Sequence, residues 1–319
     1  MKSFLLSLIF GLTLWADAHI FVFHRFNDSR YPTTNTSLEA LRQQFDYFKK
    51  NGYEVVPLSK IVDALHAKKE IPDHWVALSI DDNYKSFFDH GLAVFKEYGY
   101  PFSMFVYVEA TEKKYGDFMS WEQLKEISKY GSLEFHSLNH PNMTRLSDEA
   151  LKKDFDTGLE LFEKRLGIKP RYFSYPFGEF SPRVKKIAQS YGFEAIFNQT
   201  MGAVASFSDP FDLDRSALVG KSDLPSALKY KALNASWIEP TVLLKDGKVG
   251  SLHVKTLENA TKGGIYISEQ GFRELALENG EFKADINKTL TKERTRIMVS
   301  VGNKISTKLL VKDEYYGIK

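Results

Sequence analysis

Two spacings of apolar residues alternate along most of the chain. Short apolar runs, each suited to a buried strand, are followed by stretches whose apolar positions recur three and four residues apart, as on one face of a helix. The run at 20–23 ends on His24-Arg25-Phe26-Asn27. Thr36-Ser37-Leu38-Glu39 then reads as a capping box opening a helix with Leu38, Leu41, Phe45 and Phe48 on one face, closed by Gly52. A strand over 53–57, a helix over 58–67 and a strand over 75–80 follow, the last ending on Asp81-Asp82. The same alternation gives a helix over 87–98 stopped by Gly99 and a strand over 102–108. A second capping box, Ser120-Trp121-Glu122-Gln123, opens a helix that runs to Gly131. A strand over 133–135 leads directly into His136-Ser137-Leu138-Asn139-His140. Leu151, Phe155, Leu159, Phe162 and Leu166 mark a long amphipathic helix. A strand over 172–175 runs into Pro176-Phe177-Gly178, Ser181-Pro182 starts another helix, and 195–198 is a last strand. Strands and helices alternating at this spacing predict an α/β fold with a parallel sheet or barrel wrapped in helices.

Near Trp237 the pattern changes. Period-two alternation appears in 241–244, 264–267 and 296–301, with turn signals at Asp246-Gly247 and Asn279-Gly280. These features predict a small β-rich domain of sandwich type over 236–319, after a larger α/β domain over 19–235. No internal repeat or low-complexity linker separates the two. At the other end, Lys2, an apolar run over 4–15 and Ala16-Asp17-Ala18 have the form of a cleavable signal peptide over 1–18. The apolar run would span about 18 Å as a helix, short of the roughly 30 Å hydrocarbon core. No later segment is apolar enough to cross a membrane, so the expectation is a secreted or periplasmic protein without a stable membrane span.

Charge and cysteine content narrow the function. The 43 basic and 41 acidic residues give a net charge of +2, with no basic run to attract nucleic acid. The absence of cysteine excludes disulfides, thiolate metal ligands and a cysteine nucleophile.

Candidate chemistry gathers where strands end, which is where α/β architectures build their sites. Taken alone, Asp81-Asp82 is also what a solvated turn looks like, and His136 and His140 could both be ordinary surface residues. Together, one aspartate and two histidines form a donor set suited to Zn²⁺ or a similar divalent ion, with the second aspartate placed to act as a general base.

Three segments carry a more specific likeness. Leu78-Ser79-Ile80-Asp81-Asp82-Asn83-Tyr84 resembles the first motif of the polysaccharide deacetylase family, also called the NodB-homology or carbohydrate esterase family 4 domain. His136-Ser137-Leu138-Asn139-His140-Pro141 resembles its second motif, and Tyr175-Pro176-Phe177-Gly178 its third. The likeness covers about residues 20–220. Phe23-His24-Arg25-Phe26 is similar to the opening of the branch that deacetylates poly-N-acetylglucosamine, in which an N-terminal histidine replaces a late family motif.

The resemblance implies a deformed parallel (β/α) barrel and a hydrolase that removes N-acetyl groups from a polysaccharide. It implies Asp81 as general base and Asp82, His136 and His140 as ligands of a divalent metal, Zn²⁺ first, with Co²⁺ or Ni²⁺ as alternatives. It further implies the Phe177 N–H as an oxyanion donor and His24 as the general acid. Tyr175, Pro176, Arg171 and Arg215 are expected on the substrate side, either arginine being able to brace Asp81. The sequence departs from the family pattern at Asn83, usually Gly, at Phe135, usually small and polar, and at Ser174, where many members carry the bracing Arg. These departures leave open a catalytically silent carbohydrate-binding protein, and the same chemistry would also cleave O-acetyl esters. His253 is expected to be structural or exposed, and His19, His66, His74 and His90 to lie at the surface. The C-terminal domain is the expected contact for a cell-envelope or export-complex partner.

Overall fold

The computed structural model describes residues 17–220 and 222–315. Eight short strands form one parallel sheet: β1 (His19–Phe23), β2 (Glu54–Val55), β3 (Trp75–Asp81), β4 (Ser103–Val106), β5 (Ser132–Phe135), β6 (Tyr172–Ser174), β7 (Ala195–Phe197) and β8 (Ser216–Ala217). Their order is β8-β1-β3-β4-β5-β6-β7, with β2 beside the start of β3. One segment reaches both edges, since Leu213 bridges Phe197 on β7 and Ser216 pairs with Phe21 on β1. The sheet therefore curls toward closure as a deformed (β/α) barrel, and all its strands deliver their C-terminal ends to one rim.

Side chains on both faces of the sheet are buried, one set inside the barrel and the other under the helices, as in sheets covered on both sides. His19, expected at the surface, lies in fully buried β1. His66, His74 and His90 are exposed. The helix Leu38–Lys50 is capped by Ser37 alone, whose Oγ accepts from the Ala40 N–H at 3.1 Å. The expected box over 36–39 does not form, because the Thr36 hydroxyl donates instead to the Leu218 carbonyl at 2.7 Å. Ser120 and Gln123 do form the reciprocal box. Phe135 packs among Phe155, Phe162, Phe173 and Phe193. It fits because Gly158, inside the helix Asp148–Leu166, leaves room: a Cβ there would lie 2.7 Å from the Phe135 ring.

The C-terminal strands form two further sheets. One contains Lys231–Ala232, Lys304–Val311, Arg294–Val301, Lys262–Ile267 and Gly271–Ala276, and the other Ala235–Glu239, Lys248–Thr256 and Glu281–Thr289. Leu252, Val254 and Phe282 of the smaller sheet share one apolar cluster with Ile265, Ile297 and Val299 of the larger. The alternation at 241–244 yields only an isolated bridge, Leu243 to Lys312. Asn279 and Gly280 both have positive φ, 52° and 73°, as their turn signal requires. Arg183 grips Asp313 and Arg294 pairs with Glu179 at 2.6 Å, tying these sheets to the barrel.

Most of the expected signal peptide lies outside the described residues. Its last two residues are buried: Ala18 pairs with Val204, and Asp17 Oδ2 accepts from the Ala232 N–H at 2.7 Å. Among the described residues no helix is long and apolar enough to cross a membrane.

Candidate active site

His24, Asp81 with Asp82, His136 and Ser174 with the following turn come from the C-terminal ends of β1, β3, β5 and β6, so the strand register alone brings them to one rim. Asp82 and Asn83 both take positive φ, 71° and 45°, which turns the chain sharply after β3. Asn83 tolerates that geometry and also uses its side chain. Its Oδ1 accepts from the Tyr107 N–H at 2.7 Å and its Nδ2 donates to Thr111 at 2.9 Å, tying the ends of β3 and β4 together. The loop after β5 is held by Asp154, which accepts from the Leu138 and Asn139 N–H groups at 3.0 Å each.

Asp82 Oδ1 lies 3.2 Å from His136 Nε2 and 3.1 Å from His140 Nε2. One ligand atom from each residue falls within 4.8 Å of the others. Asp82 Oδ1 and His136 Nε2 are buried without hydrogen-bond partners among the described residues. The His136 Nδ1–H donates to the Ser174 carbonyl at 2.8 Å, which leaves the Nε2 lone pair facing Asp82. Two imidazole nitrogens and a carboxylate oxygen, converging in a buried pocket with lone pairs unused, fit a divalent ion of the zinc type.

Asp81 stands apart from this group, its Oδ2 3.9 Å from His136 Nε2. Arg215 holds it with two parallel bonds, Nη1 to Oδ1 and Nη2 to Oδ2, both 2.7 Å. The Arg215 Nε–H donates to the Asn198 carbonyl at 2.9 Å, and the remaining guanidinium protons reach Ser79 and Ser174. Arg215 and Asp81 are both fully buried. Desolvation pushes the Asp81 pKa up, Arg215 together with His136 and His24 more than offsets it, and the carboxyl is held at about 2. The Ser174 hydroxyl accepts from Arg215 Nη2 at 2.6 Å, so the brace on Asp81 comes from the segment that follows β7.

Arg171 is elsewhere. It precedes β6, at the opposite end of the barrel, and pairs with Glu194 at 2.6 Å and Asp63 at 3.3 Å. Tyr175 and Pro176, expected on the substrate side, have buried side chains. Tyr175 stacks on Phe180 and donates its hydroxyl to the Phe211 carbonyl. Arg215 is likewise consumed by Asp81. Of the third motif, Phe177 is the exposed member: it has φ 60°, is 41% exposed, and sets its ring edge-on to His140 at 4.4 Å. His24 Nε2 lies 3.3 Å from Gln199 Nε2, and burial pushes the His24 pKa down. His253 belongs to the C-terminal sheets, beside Glu281 at 3.2 Å.

Sequence reasoning missed Gln199, Ser79, Asn198 and Asp154. Ser79 and Asp154 left a trace, each being a polar residue on a buried apolar face. Gln199 lies two residues past β7, so the strand-end rule applied to the last strand would have found it.

Residues 68–196 match the polysaccharide deacetylase family. The poly-beta-1,6-N-acetyl-D-glucosamine N-deacetylase of Escherichia coli (strain K12) is 23% identical over 217 residues, covering 55% of this chain and 32% of that enzyme. This chain therefore spans about a third of that relative's length. Among solved structures, the Streptococcus pyogenes deacetylase PplD superposes with a TM-score of 0.60 at 18% identity, over 65% of this chain and 94% of that one. IcaB from Ammonifex degensii gives 0.57 at 24% identity, over 66% and 94%.

Proposed function

From a chain that carries a polysaccharide deacetylase domain over residues 68–196, we infer a metal-dependent hydrolase that removes N-acetyl groups from the N-acetylhexosamine units of a polysaccharide. Poly-N-acetylglucosamine is the first substrate to test, since the Escherichia coli relative is named for that activity. The observation that carries the reading is Asp81 beside Asp82, His136 and His140. A pure sugar binder has no need of a buried, ionised carboxylate 3.9 Å from a ligand set that it does not join.

Asp82, His136 and His140 would hold the ion, with Zn²⁺ favoured by the donor set. When bound, such an ion polarises an amide carbonyl and lowers the pKa of water. Asp81, kept ionised by Arg215, is the acceptor for the proton of the attacking water. The N–H of Phe177, the residue whose ring lies beside His140, is the proposed donor to the developing oxyanion. The departing amine is a poor leaving group and needs a proton, for which His24 is the proposed source. The exposed Phe177 ring offers an apolar wall to a sugar or its acetyl methyl. The segment over 1–18 supports a secreted or periplasmic location.

Acetate release from β-1,6-linked N-acetylglucosamine oligomers, with acetylated xylan in parallel, tests this reading. Wild type should release acetate from the amide substrate, lose activity with a chelator and regain it with Zn²⁺ or Co²⁺. Asp81→Asn should be inactive. Turnover unchanged by chelation or by Asp81→Asn would defeat the reading, and release from xylan alone would reassign the enzyme to esters.

A further inference from the structure

Gln199 occupies the space between the proposed base and the proposed acid. Its Nε2 lies 3.1 Å from Asp81 Oδ2 and 3.3 Å from His24 Nε2. Both Asp81 oxygens receive the Arg215 fork at 2.7 Å, so Asp81 meets Gln199 as a carboxylate that can only accept hydrogen bonds. The Gln199 group facing it must therefore be the amide nitrogen. That nitrogen has two protons and no available lone pair, so its second proton points at His24 Nε2. His24 Nε2 is then an acceptor, and the neutral ring carries its proton on Nδ1. Nδ1 is buried and has no hydrogen-bond partner among the described residues.

The backbone around Gln199 is fixed on every side. Asn198 donates through Nδ2 to Asp212 and Asp214, accepts the Thr200 N–H on Oδ1 at 2.7 Å, and offers its carbonyl to Arg215. The turn of the third motif seats against the same residue: a Cβ on Gly178, φ +67°, would lie 2.5 Å from the Gln199 nitrogen. One side chain thus touches both the proposed base and the proposed acid.

We propose that Gln199 is a positioning residue that ties His24 to the Asp81–Arg215 pair and holds His24 Nε2 as a hydrogen-bond acceptor, which fixes the orientation and tautomer of the ring. This rests on the deacetylase reading for its kinetic consequence but not for its structural one. Without Gln199 the ring loses the donor that selects its tautomer, and the Nε2–H form favoured by a free histidine side chain returns. A glutamate at the same position would draw a proton onto Nε2 as well.

The test is ¹⁵N NMR of histidine-labelled full-length protein at neutral pH, for wild type, Gln199→Leu and Gln199→Glu, with acetate-release kinetics on the same samples. Wild type should show His24 protonated on Nδ1, and both variants should show it protonated on Nε2. The variants should lose kcat by about tenfold or more, within the range of general acid–base effects, with little change in KM. An unchanged tautomer in a folded variant, or a moved tautomer with unchanged kcat, overturns the proposal. If the tautomer moves while wild type releases no acetate from any substrate, the tether stands and the deacetylase reading fails.

Discussion

Arg215 and Asp81 meet in a two-point ion pair, 2.7 Å at each contact, from which solvent is wholly excluded. A buried pair of this kind contributes little net stability when intact but is costly to break from one side. Arg215→Met leaves Asp81 buried and alone. It should cost about 3–5 kcal/mol in urea unfolding at neutral pH. It should also raise the Asp81 pKa, because burial then loses its largest opponent. The acid limb of the pH–activity profile should move to higher pH, and Asp81→Asn in the same background should recover much of the lost stability.

Gly158 and Phe135 form a matched pair across the helix and strand that position His136. Gly158→Ala puts a Cβ 2.7 Å from the Phe135 ring and should destabilise by about 1–3 kcal/mol, the usual cost of overpacking. Thermal unfolding of Gly158→Ala alone and with Phe135→Leu tests the pairing. The double variant should be the more stable of the two.

Asn83 predicts an inversion of the family preference. Glycine suits the positive φ, yet Asn83→Gly removes the bonds to Tyr107 and Thr111. At about 0.5–1.5 kcal/mol each, those bonds outweigh the few tenths gained from backbone relief. Denaturation should show Asn83→Gly to be less stable than wild type.

Part of this arrangement was legible in the sequence and part was not. The order of strands and helices, and the convergence of Asp82, His136 and His140, follow from apolar periodicity and from the rule that sites form at strand ends. Arg215 could not be chosen over Arg171 in this way. The choice depends on whether a segment following the last strand crosses back to the first, a long-range closure that leaves no local pattern. Tyr175 has the composition of a sugar-stacking residue, but its ring is consumed by Phe180. The Thr36 box failed because a tertiary acceptor, the Leu218 carbonyl, outcompeted the local one. His19 was misjudged because a strand covered on both faces buries every side chain, whatever its polarity.

Glu134 gives a pH dependence of stability. It is buried on β5 and accepts the Arg171 and Tyr172 N–H groups at 2.9 Å, yet desolvation wins and raises its pKa from 4.5 to about 7. The folded state therefore binds this proton more tightly than the unfolded state. The resulting stabilisation is complete below the unfolded pKa and is lost as pH rises through the folded one. It amounts to roughly 3 kcal/mol between about pH 4 and pH 8. Urea midpoints measured across that range should fall more steeply for wild type than for Glu134→Gln, with the two curves parallel above pH 8.

The cation site is the claim on which the chemistry rests. Visible absorption and equilibrium dialysis with Co²⁺ on chelator-stripped protein measure it without reference to any substrate. The account predicts one ion per chain in wild type and in Asp81→Asn, and none at the same concentration once His136 and His140 are both replaced by alanine. Stoichiometric binding that survives the loss of both histidines would contradict it.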